Sequence, residues 1–413
     1  VTCWVREPAE IPTEWDLDRH IPLHPLSYRT EGEEVTVGRT DVDSYAVLPP
    51  DGAQLVRRLA AGDTPRAAAE WYSSTYGTDV DMGDLLTRLS TLNFVADQNR
   101  SESAVVDSRR WQALGRVTFS PLAWVGYVLL VTWWVVAMVR SPDLVPRYQN
   151  LFFSDYYTIV MVTLLLGQIP AVLVHEGFHA LAGFRLGLNS RLSVGRRLYY
   201  VVFETSLDGL VLLPRRKRYL PILAGMVADV LVLAALTLIA DMARDSNGAL
   251  SSFGGVCLAL AFSTVLRLAW QFFLFLQTDI YFLVTTALGC SDLHSTAKAV
   301  LRNRGNRLIG RSDRLEPEGS WPATDRRAAR WYSWLMVAGY ALSIATLVFV
   351  VVPALFQIAL GLVEGLTGGD QDGFARLLDS SAFVFLVLVQ ITVALWIAWR
   401  DRHRHDRNTL VHS

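Results

Sequence analysis

From Tyr156 to Val174 the sequence carries no Glu, Lys or Arg and no Asp, and it then reads His175-Glu176-Gly177-Phe178-His179. In lipid such a run must satisfy its own backbone as a helix, and about 20 apolar residues suffice to cross a bilayer. That constraint fixes the geometry of the motif at its end. Two histidines at i and i+4 share one helical face, so their ring nitrogens can converge on a single metal ion, with zinc the expected cofactor. Glu176, beside the first of them, then stands where a carboxylate can take a proton from water polarised at that ion. The pattern implies hydrolytic chemistry within the membrane or at its edge.

The composition agrees with a membrane setting. The 413 residues are 52% hydrophobic and 19% charged, against about 25% charged in a typical soluble domain. A net charge of −1 argues against a nucleic-acid partner. Cys3, Cys257 and Cys290 show no Cys-x-x-Cys spacing, so neither a disulfide framework nor a thiolate zinc site is expected. The first residues, Val1 to Glu7, lack a signal peptide's apolar core, and the N-terminal region is expected to stay in the cytosol.

Six stretches have the length and character of spans: Phe119–Val139, Tyr156–Phe184, Tyr219–Ala240, Phe253–Leu276, Trp331–Phe356 and Ala382–Trp399. Apolar character continues past Asp279 to Gly289, as a re-entrant or interfacial piece would. Basic residues crowd alternate gaps: Arg109, Arg110 and Arg116 before the first span, Arg185 to Arg218 after the second, Lys298 to Arg330 after the fourth, and Arg400 to Arg407 after the sixth. The segment Gly361–Ser381 leans acidic instead. By the positive-inside rule both termini are expected in the cytosol, with His175 and His179 near the cytosolic end of the second span.

Residues 26–97 read as a small soluble α+β unit of winged-helix type. Leu26–Thr30 and Glu34–Gly38 suggest a hairpin, and Tyr45–Leu48 a further strand. Pro50 opens a helix ending near Gly62, Thr64-Pro65 starts another, and Leu85, Leu86, Leu89 and Leu92 stripe a last one. The expected organisation is an N-terminal segment 1–25, this unit 26–97, a basic linker 98–118, a membrane domain 119–399 and a basic tail 400–413. The fold class is mainly α, a polytopic bundle of about six spans with a small α+β domain.

A hydrolytic zinc site takes three protein ligands, and the motif supplies two. Asp279, in Gln277-Thr278-Asp279-Ile280-Tyr281, is the candidate third, a carboxylate in an apolar stretch at about the depth of His179. Asp229 and Arg267 lie roughly 15 Å into the third and fourth spans. They are expected to pair, or to stand beside the scissile peptide and steady the site. Leu198–Phe203 and Gly209–Leu213, split by Glu204–Asp208, suggest a hairpin whose edge can pair with an extended peptide.

These residues resemble the site-2 protease family of intramembrane zinc metalloproteases, whose pattern is HExxH in one span and an Asp ligand in a later one. His175 to Gly183 fits the first element. The family's Asn-x-x-Pro-x-x-x-x-Asp-Gly is matched by Gln271 to Ile280, with Gln271 at the Asn, Leu274 at the Pro, Asp279 at the Asp and Ile280 at the Gly. Leu223 to Asp229 is similar to the Ala-Gly-Pro-x-x-Asn segment, with Met226 for Pro and Asp229 for Asn. Thr278 to Phe282 is closer to the peptide zinc metalloproteases found beside bacterial peptide-modification genes. Residues 26–97 resemble a PqqD-like domain, which binds precursor peptides by strand addition.

The resemblance implies zinc on His175, His179 and Asp279, Glu176 as general base, and Asp229, Arg267 and Gln271 as groups that steady the ligands or position substrate. Expected partners are a peptide or membrane-protein substrate, a leader peptide on the N-terminal unit, and the lipid bilayer. A protease acting on a membrane-anchored signalling protein fits the same residues. The contrasting reading is a non-enzymatic peptide-binding, export or immunity component with a structural or degenerate metal site.

Overall fold

The computed structural model describes residues 15–31, 34–39, 44–96, 109–197 and 200–346, and scattered positions from 348 to 400, chiefly 378–379 and 381–390. The segment before Trp15, the linker to residue 108, parts of the fifth and sixth expected spans (chiefly 350–355 and 394–399), most of Gly361–Ser381 and the tail after Arg400 lie outside the described residues. The chain divides into two compact units. One comprises Val1–Arg116, Ala180–Arg191 and Thr205–Arg218; the other comprises Val117–His179, Leu192–Glu204 and Tyr219–Ser413.

The first unit is built on β1 (Ser27–Glu31), β2 (Glu34–Arg39) and β3 (Ser44–Leu48), an antiparallel sheet in the order β1-β2-β3 with Ser27 opposite Gly38 and Val35 opposite Leu48. Three helices follow, α1 (Pro50–Ala61), α2 (Pro65–Tyr76) and α3 (Met82–Thr91). Their boundaries have local causes. Gly62 closes α1 in the left-handed region at φ 110°, where a side chain is strained. Thr64 accepts the Ala67 amide and Asp81 accepts that of Asp84, which caps α2 and α3. Val37, Leu55, Val56, Leu59, Leu86 and Phe94 are almost fully buried between sheet and helices, each worth about 1.5–3 kcal/mol. A bridge between Leu23 and Val95 ties the two ends together.

The same unit holds α4 (Arg109–Thr118) in large part. Trp111 stacks on Phe184, with ring centroids 6.1 Å apart. The turn at Leu210–Leu212 lies against β1 and β2. Arg218 fastens that turn by donating to the carbonyls of Leu213 (2.8 Å) and Val211 (2.5 Å).

Among the described residues, four helices are long and apolar enough to cross a membrane: α5 (Pro121–Arg140), α6 (Tyr157–Arg185), α7 (Arg215–Met242) and α8 (Ser252–Trp270). They mark a membrane protein. Half of α7's apolar window is buried inside the protein, against 33% for α8 and 6% for α5 and α6, so α7 is the most enclosed of the four. Ala224, Gly225, Ala228 and Ala234 let neighbours approach α7 closely. At one end Arg244 binds Asp143 (2.8 and 3.1 Å), Asp241 (2.7 Å) and the Gly248 carbonyl (2.9 Å), tying the turn after α5 to the end of α7. The first amides of α6 are capped by a distant carboxylate: Asp379 accepts from Tyr157 N at 2.8 Å and Thr158 N at 2.9 Å.

Two boundaries differ from expectation. β4 (Asn189–Arg197) and β5 (Tyr200–Asp208) form a two-stranded sheet after α6, so Glu204–Asp208 belongs to a strand and not to the turn. Gly209 ends that strand at φ 88°, and Leu210–Leu212 is a 3-10 turn. The fourth span also stops early, at Trp270 and not Leu276. A broken segment with a 3-10 turn at Leu274–Leu276 leads into α9 (Asp279–Leu288). Then come α10 (Leu293–Leu308) and α11 (Ala323–Thr346), which contains the start of the fifth expected span.

Candidate metal centre

His175 and His179 stand one turn apart on α6, both buried, as the i and i+4 spacing dictates. Asp279 opens α9, and its carboxylate meets the two rings. The Nε2 atoms are 3.2 Å apart, and Asp279 Oδ2 lies 3.3 Å from each. Three donors about 2.0–2.1 Å from one ion at tetrahedral angles lie about 3.3–3.4 Å apart. The triangle therefore has the dimensions of one face of a tetrahedral site. His175, His179 and Asp279 form a group that can hold a metal ion.

The chemistry of the three atoms supports the same use. His179 Nδ1 donates to the Pro221 carbonyl at 2.7 Å. A carbonyl only accepts, so the ring's proton sits on Nδ1 and Nε2 keeps its lone pair. On His175, Nδ1 stands 3.1 Å from Asp229 Oδ2, a close polar contact that falls short of hydrogen-bond geometry. Asp279 Oδ2 is buried with no hydrogen-bond donor among the described residues. The lone pairs of His179 Nε2 and Asp279 Oδ2 thus face each other across the triangle, an arrangement that repels unless a proton or a cation lies between them.

Around this triangle runs a chain of buried polar contacts. Arg267 grips Asp229 Oδ1 through Nη2 (2.6 Å) and Nε (3.1 Å) and reaches Gln168 Oε1 through Nη1 (2.7 Å). Gln168 in turn donates to the Leu260 carbonyl at 3.3 Å. Asp229 is fully buried, so this fork compensates a carboxylate that water cannot reach. Counted in their ionised forms, Asp229 and Arg267 cancel.

The floor of the site is backbone. A Cβ at Gly225 would fall against both Nε2 atoms, 2.5 Å from that of His175, so only glycine leaves the triangle open. Gln271 meets the site from behind, its Oε1 accepting the Asp279 amide at 3.0 Å.

The residues expected from the sequence gather here. His175, His179 and Asp279 converge, Asp229 touches His175 and pairs with Arg267, and Gln271 holds Asp279. Glu176 is buried on the same helix. Sequence reasoning missed Gln168 and the Pro221 carbonyl. Gln168 had a signal: it is the one amide side chain between Tyr156 and Val174 and lies two turns before His175 on the same face. A main-chain acceptor has none.

What the fold and site define is a membrane protein with a His-His-Asp group that could hold a metal ion. No family model matches the chain, and no curated protein or solved structure matches it.

Proposed function

We propose that the chain is a membrane-embedded zinc-dependent peptidase of the site-2 protease type. The observation that carries this reading is the tetrahedral-sized triangle of His175, His179 and Asp279, set beside Glu176 on an apolar helix. Zinc, when bound there, supplies a Lewis acid that polarises a carbonyl and acidifies water. His175, His179 and Asp279 hold it, and Asp229 steadies the ring of His175. Glu176 accepts a proton from the attacking water and passes it to the leaving amine.

The bundle has about six spans with both termini in the cytosol, which puts the site near the cytosolic face. The edge of the β4–β5 ribbon takes the substrate as an added strand. Residues 26–97, three strands followed by three helices, act as a PqqD-like winged-helix unit that holds a leader peptide. The substrate class is then a bacterial precursor peptide undergoing maturation or export.

The test uses purified protein in lipid nanodiscs with zinc and candidate precursor peptides. Glu176→Gln is expected to keep its zinc and to slow hydrolysis by about 10²–10⁴-fold. Full turnover in that variant, on a peptide the unmodified protein cleaves, ends the proposed mechanism.

A further inference from the structure

Asp279 is the one member of the metal-binding group that no membrane-length helix carries. It follows the broken segment after α8, where Gln277 adopts the left-handed region at φ 55°. Nothing in the local sequence enforces that break, since Leu274 and Ile280 stand where a helix-breaking proline and glycine would do so. Local clips exist: Thr278 Oγ1 donates to the Gln271 carbonyl at 2.5 Å, and Gln271 Oε1 accepts the Asp279 amide. The His294 amide of α10 donates to the Tyr281 hydroxyl at 3.1 Å, and further anchors come from α11.

Upstream of Asp279, the Tyr332 hydroxyl donates to the Leu274 carbonyl at 3.0 Å and faces His294 Nδ1 at 3.1 Å. With its one proton on Leu274, the hydroxyl accepts from His294. The Phe275 ring lies against Gly339, where a Cβ would overlap it, and meets Tyr340 edge-on with centroids 5.3 Å apart. Downstream of α9, the fully buried Asp325 carboxylate accepts from Ser291 N (3.1 Å), Ser291 Oγ (3.0 Å) and Asp292 N (2.9 Å). One helix therefore grips the chain on both sides of Asp279.

We propose that α11 sets the position of Asp279 in the metal site, with Tyr332 as its principal positioning residue. The inference rests on reading His175, His179 and Asp279 as metal ligands. Its physical basis is that a ligand on a short, broken segment binds only as well as its supports hold it. Removing such a support typically costs 10–100-fold in metal affinity.

Cobalt serves as the probe, because its d–d absorption reports ligand geometry. Tyr332→Phe removes the hydroxyl and keeps the ring. The variant is expected to bind cobalt about tenfold or more weakly and to shift the absorption bands. A Tyr332→Phe protein with the affinity and spectrum of the parent overturns the proposal while leaving the metal reading intact. A parent that takes up no cobalt overturns both.

A second pair guards against misfolding of the first variant. Gly339→Ala pushes on the Phe275 ring and is expected to weaken cobalt binding; adding Phe275→Leu makes room and should restore both affinity and spectrum. A folded double variant that binds no better than Gly339→Ala alone also overturns the proposal.

Discussion

Asp229 Oδ2 stands 3.1 Å from His175 Nδ1 while its other oxygen is held by Arg267. A single buried carboxylate thus joins an ion pair between two apolar helices to an imidazole of the candidate metal site. The two roles separate by mutation. Asp229→Asn is expected to lower metal affinity by about 10–100-fold. Arg267→Leu strands the carboxylate and should cost about 3–5 kcal/mol of stability. The double variant recovers part of the stability loss but not the affinity. A thermal-stability cycle measures the coupling, and strictly additive losses would argue against it.

Zinc content is the direct check on the triangle. About one zinc per chain is expected. His175→Ala and His179→Ala each empty the site, and Asp279→Ala weakens it strongly. Elemental analysis of the purified variants decides, and parental zinc in Asp279→Ala would remove that residue from the site.

Gly225→Ala offers a cleaner separation of folding from binding. Alanine is favoured over glycine in a helix by up to about 1 kcal/mol, yet its Cβ intrudes on both Nε2 atoms. The variant is expected to lose zinc, while in the metal-free protein the gain in helix propensity offsets part of the cost of displacing the two rings and keeps the fall in thermal midpoint small. Zinc bound at parental affinity would show that the backbone of α7 gives way.

The pair of Asp143 and Arg244 predicts an acid dependence. Hydrogen bonding from Arg244 holds the Asp143 carboxyl below its usual range. A group depressed in the folded state stabilises fully above its unfolded pKa, and the benefit fades as pH falls below about 4. Asp143 is half exposed, so the contribution is at most about 1 kcal/mol. Asp143→Asn should lower stability at neutral pH by that order and flatten the decline below pH 4. A midpoint-versus-pH curve unchanged by the substitution would sink the claim.

The histidine pair was legible because helical periodicity alone brings positions i and i+4 together, and Asp279 because a lone carboxylate in an apolar stretch needs a partner. The early end of α8 was not legible. Its causes are contacts from Tyr332 and Gly339, about 60 residues downstream, and composition reads the apolar run through Leu276 as one helix. The β4–β5 turn was misplaced because Glu204–Asp208 looks like a polar loop, whereas strand alternation accommodates it. In the N-terminal unit, by contrast, prolines, glycines and capping side chains mark nearly every boundary, so local chemistry sufficed.

A helix in lipid keeps some freedom to shift along its axis, since each ångström of mismatch carries only a modest cost. The grip of Asp379 on the first amides of α6 removes that freedom at one end. From Tyr157 to His175 the helix rises about 27 Å. The carboxylate at the far end therefore acts as a depth gauge, fixing the start of the helix and, through its rigid length, the level at which the imidazoles stand.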